Sequence, residues 1–131
     1  GSNLIPAPHD NMGLINKFFP ELEGQLIGRT VRAPVDHTSY VTCSFEVSHR
    51  IDRDSVLSCL ANTKIASTVL GMDVEPLVSS DYVTDPRSCV IDGTSVRVID
   101  GSTIFLSAWY NNEYAFASRM IDIASRINER L

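Results

Sequence analysis

The sequence predicts an α+β fold with an antiparallel or mixed sheet. Three observations lead there. A stretch of strict period-two alternation marks a half-buried strand over residues 39–47. Two Asp-Gly dipeptides, at 92–93 and 100–101, divide a β-rich run that ends at Trp109, and Asp-Gly between such runs is a strong hairpin signal. The chain then closes on a segment of clear helical spacing. Strands in the majority, with helices at intervals and at the end, fit that class.

In chain order, Asp10 is placed to cap a short helix over 11–19, which Pro20 and Gly24 help to end. Residues 27–35 are rich in β-branched types and read as a strand, with Pro34 confined to its end or to an edge. Over 39–47, Val41, Cys43, Phe45 and Val47 share one face, and Tyr40, Thr42, Ser44 and Glu46 the other. Asp52 or Asp54 caps a helix that runs through Asn62, with Val56, Leu57, Cys59 and Leu60 on its inner side. The stretch 64–71 is open between a helix and a short buried strand, and 77–83 reads as a strand.

The Asp-Gly pairs then separate 88–91, 95–99 and 103–109 into an antiparallel meander. A final helix is expected over 112–130. Phe116, Met120, Ile123, Ala124, Ile127 and Leu131 recur along it at helical spacing. Glu113 in its first turn and Arg126 and Arg130 in its last suit the macrodipole. No strand–GxGxxG–helix unit is present, so these residues alone carry no Rossmann site.

The composition limits the function. With 131 residues, 44% of them hydrophobic and 21% charged, the chain suits one domain with a real core and not a disordered segment. The net charge of −5 argues against a nucleic-acid partner, because the richest basic stretch, 48–54, is diluted by its own Asp52 and Asp54. No run reaches the roughly 18 apolar residues of a membrane span, and no signal-peptide pattern is found. Gly1-Ser2, with no initiator Met, looks like a tag scar, which leaves 3–131 for the fold and the natural start open. Cys43, Cys59 and Cys89 are odd in number and form no CxxC, so neither a disulfide framework nor a zinc site is indicated, and a reducing, cytosolic setting fits.

Candidate chemistry is sparse. His9, His37 and His49 have no ligand spacing and read as surface or turn residues; no metal site is expected. The cysteines read as structural, and only Arg87 beside Cys89 could lower a thiol pKa. Asp52/Asp54 and Glu21/Glu23 fit caps and turns better than acid–base work. Arg32, inside the apolar run Val31-Arg32-Ala33-Pro34, reads either as an outward strand residue or as a guanidinium offered to an anion in a cleft. Asn111-Asn112-Glu113 is equally two-sided, an ordinary helix cap or a side-chain amide able to reach a ligand.

Four blocks carry a resemblance. Trp109-Tyr110-Asn111-Asn112-Glu113-Tyr114-Ala115-Phe116-Ala117-Ser118-Arg119 resembles the W-Y-D-N-E-[WY]-G-[YF]-[SA]-N-R signature of glyceraldehyde-3-phosphate dehydrogenases. Residues 77–88 resemble that family's L-V-S-S-D-F-x-G-D-x-x-S segment. Asn3-Leu4-Ile5-Pro6 with Phe19-Pro20-Glu21-Leu22-Glu23-Gly24-Gln25-Leu26 resembles its N-I-I-P … L-P-E-L-x-G-K-L, and Arg32-Ala33-Pro34 resembles R-V-P-T. The blocks fall in the right order and spacing across nearly all of the chain.

The resemblance implies the C-terminal part of the family's catalytic domain: a mixed, largely antiparallel sheet with helices on one face. It implies a parent protein that is a cytoplasmic homotetramer with an N-terminal NAD-binding Rossmann domain. Such enzymes oxidise a small phosphorylated aldehyde through a cysteine thiohemiacetal, pass hydride to NAD and release an acyl phosphate. The nucleophile motif S-C-T-T-N and the family's catalytic histidine are not within these residues, so the chain by itself is expected to be inactive and to hold no cofactor alone.

By position, Arg32 matches the arginine that holds substrate or inorganic phosphate, Asn112 the asparagine that bonds the nicotinamide carboxamide, and Phe116 an aromatic beside the nicotinamide ring. Three departures stand out. Ala7-Pro8-His9-Asp10 replaces T-S-T-G, placing a carboxylate where a helix N-terminus would otherwise favour phosphate. Pro34-Val35-Asp36-His37 replaces P-T-P-N, adding an acid near Arg32, and Ala115 replaces the signature glycine. The residues 92–94 and 112–120 also look somewhat like erythrose-4-phosphate dehydrogenase, which leaves the aldehyde open. Two parents are compatible with these changes: a divergent dehydrogenase, or a relative that has lost catalysis and keeps the fold as a binding or assembly module.

Overall fold

The computed structural model describes residues 2–7 and 12–130, in two compact units divided after Val35. In the first, strand β1 (Ile5–Ala7) is followed by helix α1 (Met12–Phe18), a 3₁₀ turn (Pro20–Leu22) and strand β2 (Thr30–Arg32). β1 and β2 pair antiparallel, with Ile5 opposite Arg32 and Ala7 opposite Thr30. The strand expected over 27–35 is thus only three residues long. Its partner offers three residues, and Pro34 has no N–H with which to extend the ladder. Asp10, the expected cap of the first helix, lies outside the described residues.

The second unit is a four-stranded mixed sheet. Its elements are β3 (Ser39–Glu46), α2 (Arg53–Ala61), β4 (Leu70–Asp73), β5 (Cys89–Ile99), β6 (Thr103–Tyr110) and α3 (Asn112–Asn128). The strand order is β3-β6-β5-β4; β6 runs antiparallel to both neighbours, and β4 lies parallel to β5. The α+β class with a mixed, largely antiparallel sheet is as expected.

Asp52 caps α2 by accepting the Ser55 N–H at 2.8 Å. From that helix Val56 enters a core of Ile91, Val96, Ile104 and Ala108, with Leu57 and Leu60 packed at its edge. Cys59, expected on the inner side, is exposed instead. The helix covers the centre of β5 and β6, so Val41 and Phe45 on the edge strand β3 remain partly exposed.

The two Asp-Gly dipeptides behave differently. Asp100 and Gly101 both take positive φ, 51° and 72°, and close the β5–β6 hairpin as a primed turn. Asp92-Gly93 makes no turn. β5 continues through it, with a shift of pairing register between Asp92 and Arg97. The groups released there find partners: Arg53 donates from Nε to the Val96 carbonyl and from Nη2 to that of Gly93, each at 3.1 Å, and the Ser107 N–H donates to Ser95 Oγ at 2.8 Å. Gly93 serves close approach, since a Cβ there would stand 3.0 Å from Val74 Cγ1 and 3.1 Å from the Asp73 carbonyl. The expected three-strand meander is therefore one long hairpin.

The strand expected over 77–83 is a 3₁₀ turn, Ser79–Tyr82. Asp81 decides it locally, its carboxylate accepting the Val78 N–H at 2.8 Å. Of the open stretch 64–71, only the last residues enter a strand, as the start of β4.

The candidate site at the sheet-to-helix junction

β6 delivers the chain to α3 through Trp109 and Asn111. Trp109 is flanked by Tyr40, at a centroid distance of 4.2 Å, and by Tyr82, at 5.4 Å. Asn111 is 4% exposed and uses both ends of its amide. Its Oδ1 accepts the N–H groups of Glu113 and Tyr114, at 3.0 and 2.9 Å, and its Nδ2 donates to the Val83 carbonyl at 2.7 Å. The side chain both caps α3 and ties it to the loop after the 3₁₀ turn.

Asn112 is the first residue of α3 and is exposed, and its side chain has no hydrogen-bond partner among the described residues. Phe116 follows one turn later on the same side, 66% exposed. The side continues through Met120, Ile123 and Ile127, all exposed, so the apolar stripe read from the sequence faces outward in these residues. Across the helix is a shallow hollow that includes His37, Val83, Thr84 and Tyr114 in its lining. His37, at a φ of 61°, stands there with Nδ1 3.3 Å from Glu113 Oε2.

Arg32 ends β2 in the first unit, exposed, with no side-chain partner among the described residues. Asp36 is exposed, while His9 and the departing segment Pro8-His9-Asp10 lie outside the described residues. Burial pushes the thiols of Cys43 and Cys89 up, and for Cys89 the Cys43 charge adds to it. Arg87 does not reverse this. Its Nη2 stands 2.5 Å from Asp85 Oδ2 and 3.4 Å from Asp73 Oδ2. Among the described residues no group of three or more His, Cys, Asp or Glu side chains could hold a metal ion, and no helix is long and apolar enough to cross a membrane.

Sequence reasoning passed over Arg119. Its Nη1 donates to the Thr68 carbonyl at 2.8 Å and to Ser88 Oγ at 3.2 Å, and its Nη2 pairs with Asp122 Oδ2 at 2.8 Å. Its match to the last residue of the quoted signature and an Asp three residues on along the helix were signals to hand; the contacts with Thr68 and Ser88 are invisible without the fold.

The sequence model of the family described as "Glyceraldehyde 3-phosphate dehydrogenase, C-terminal domain" matches residues 1–112. The chain is 34% identical over 128 residues to glyceraldehyde-3-phosphate dehydrogenase 3 of Nostoc sp. strain PCC 7120, an alignment of 95% of this chain and 38% of that protein. It is 33% identical over 133 residues to glyceraldehyde-3-phosphate dehydrogenase of Zymomonas mobilis, covering 99% and 40%. Against glyceraldehyde-3-phosphate dehydrogenase 2 of Staphylococcus aureus strain Mu50 the identity is 30% over 129 residues, covering 98% and 38%. With its mixed sheet and a polar, aromatic-flanked entry to the last helix, the chain belongs to the glyceraldehyde-3-phosphate dehydrogenase family and carries its C-terminal domain. It spans about two fifths of the length of these curated relatives.

Proposed function

We propose that residues 3–131 form the C-terminal catalytic-domain part of an NAD-dependent dehydrogenase of phosphorylated aldehydes, and that the chain by itself is inactive. The observation that carries this reading is the division of labour between two adjacent asparagines. Asn111 is buried and bonded at both ends of its amide. Asn112 is left exposed beside the exposed ring of Phe116. A side-chain amide offers one donor group and one acceptor, the complement of a carboxamide, and an exposed aromatic offers an apolar face of ring size. These residues fit a nicotinamide. When bound, NAD supplies the acceptor for hydride.

In this reading Asn112 orients the carboxamide and Phe116 lies beside the ring. Arg32 offers its exposed guanidinium, without a side-chain partner among the described residues, to substrate or inorganic phosphate, for which its planar donor fork is suited. Inactivity of the chain alone is supported by its raised thiols at Cys43 and Cys89, the reverse of what an activated thiolate needs. The outward apolar stripe of α3 fits a protein in which further chain or a further copy covers it, in keeping with a homo-oligomer.

The test uses the full-length protein. NADH formation is followed with glyceraldehyde-3-phosphate and then erythrose-4-phosphate, each with and without inorganic phosphate. Turnover supports the dehydrogenase, and its phosphate dependence reports whether Asp10 and Asp36 weaken phosphate binding. No turnover from folded protein with either aldehyde turns the reading toward a non-catalytic binding or assembly module. Asn112→Ala is expected to weaken NAD and lower turnover together, whereas NADH formation by residues 1–131 alone would overturn the proposed inactivity.

A further inference from the structure

Of the seventeen residues of α3, only Ala115 is buried, and only Ser118, Arg119 and Asp122 are partly buried. A helix with so little packed surface needs polar attachments to set its direction. Among the described residues three are present on the remainder of its unit: the exposed His37–Glu113 contact at 3.3 Å in the first turn, and two less exposed ones. Of these two the first is Asn111, whose Nδ2 reaches the Val83 carbonyl ahead of the first turn. The second is Arg119, two turns further on, which grips the Thr68 carbonyl and Ser88 Oγ.

The ground under Arg119 is firm. The Ser88 and Cys89 N–H groups donate to the Val69 carbonyl at 2.8 and 3.2 Å, so the guanidinium binds where β4 and β5 begin their parallel pairing. Asp122, one turn along α3, holds the guanidinium in place from the other side. Arg119 Nε is buried and has no partner among the described residues.

One attachment fixes where a helix starts but leaves it free to swing and roll; two fix both motions. Asn112, Phe116 and Arg119 fall at i, i+4 and i+7, on one side of the helix. Any roll about the Asn111 anchor therefore moves the Asn112 amide and the Phe116 ring with it. We infer that Arg119 is a positioning residue for the nicotinamide: without touching the ligand, it sets the roll of α3 and hence the aim of Asn112 and Phe116. This rests on the reading that Asn112 faces a nicotinamide.

The experiment measures the NAD dissociation constant, the KM for NAD and kcat in the full-length protein for Arg119→Ala, Arg119→Lys, Asp122→Ala and Asn112→Ala, with the unfolding temperature of each. Arg119→Ala is expected to weaken NAD about tenfold, a shift of about 1.4 kcal/mol. Arg119→Lys and Asp122→Ala are expected to fall between it and wild type, because an ammonium keeps the charge but not the fork. A merely structural arginine would lower the unfolding temperature and leave NAD affinity and KM of the folded protein unchanged, and that result overturns the proposal. If Arg119→Ala does not fold, Arg119→Lys and Asp122→Ala decide by the same readout. Unchanged NAD binding in Asn112→Ala would remove the nicotinamide reading, and this inference with it. A loss in Asn112→Ala with none in the Arg119 and Asp122 variants overturns the inference alone.

Discussion

Tyr82 stacks on Trp109 with ring centroids 5.4 Å apart and planes 17° from parallel, while its hydroxyl donates to Asp73 Oδ2 at 3.2 Å. One side chain thus links the 3₁₀ turn to β6 through its face and to β4 through its edge. At 3% exposure it is among the most buried residues of the sheet unit. Burial, and then the Asp73 charge, pushes the phenol up to about 12.

The raised phenol has a consequence for stability. Above about pH 10 the unfolded chain releases this proton while the folded chain keeps it. The unfolded state then binds fewer protons, so stability falls as pH rises from about 10 to about 12. Tyr82→Phe should remove that component of the slope and cost about 1 kcal/mol at neutral pH. Urea unfolding followed through Trp109, the one tryptophan of the chain, measures both. Identical alkaline slopes for the two proteins would contradict the assignment.

Gly71 and Arg87 should prove energetically coupled. A Cβ at Gly71 would stand 2.8 Å from Arg87 Cδ and 2.9 Å from its Cζ. The side chain cannot withdraw without loosening its pairs with Asp85 and Asp73. Gly71→Ala is therefore expected to cost about 1–3 kcal/mol in the wild type and much less once Arg87 is alanine. A double-mutant cycle by urea unfolding tests this, and additive costs would reject it. The Arg87 hydrogen bond also holds the Asp85 carboxyl below the usual carboxylate range. Below about pH 4 the unfolded state binds the extra proton, so this contribution, present at neutral pH, is lost as pH falls through the lowered value.

Much of this fold was legible because short-range chemistry agreed with the long-range packing. Alternation placed β3, Asp52 capped α2, and Asp100-Gly101 closed a hairpin whose φ values an Asp-Gly pair readily adopts. Misreadings came where a distant partner supplied the deciding bond. Asp92-Gly93 carries the same dipeptide, yet Arg53, some forty residues earlier, bonds the Gly93 and Val96 carbonyls and lets β5 continue. Within the stretch 77–83, expected as a strand, Ser79–Tyr82 folds as a 3₁₀ turn, where the Asp81 carboxylate accepts the Val78 N–H and Tyr82 is buried. In the candidate site Asn111 was readable as a cap from its place before a helix, whereas the reach of its amide to Val83 and that of Arg119 to Thr68 span sequence that no local pattern connects.

The two roles of Asn111 can be separated by substitution. Asn111→Ala removes the cap and the Val83 link together and should cost about 2 kcal/mol. Asn111→Asp keeps an oxygen for the Glu113 and Tyr114 N–H groups but has no donor for the Val83 carbonyl. It should recover roughly half of that loss and leave far-UV helicity close to wild type. Hydrogen exchange in the first turn of α3 then discriminates: protection near wild type in the aspartate variant and lost in alanine is expected, and equal loss in both would show that the cap contributes little.

The outward stripe of α3 makes the opposite prediction, that large apolar residues can be replaced at little cost. Met120, Ile123 and Ile127 are 57%, 58% and 57% exposed. Surface substitutions clear of buried networks usually fall within about 0.5 kcal/mol, so Ile123→Ser and Ile127→Ser should leave the urea midpoint of residues 1–131 nearly unchanged. The same stripe is a contiguous apolar surface, which favours self-association. Sedimentation of the chain across a concentration series should show association in the wild type and less of it in the double serine variant. A loss of more than about 2 kcal/mol would instead mark these side chains as packed in the fold.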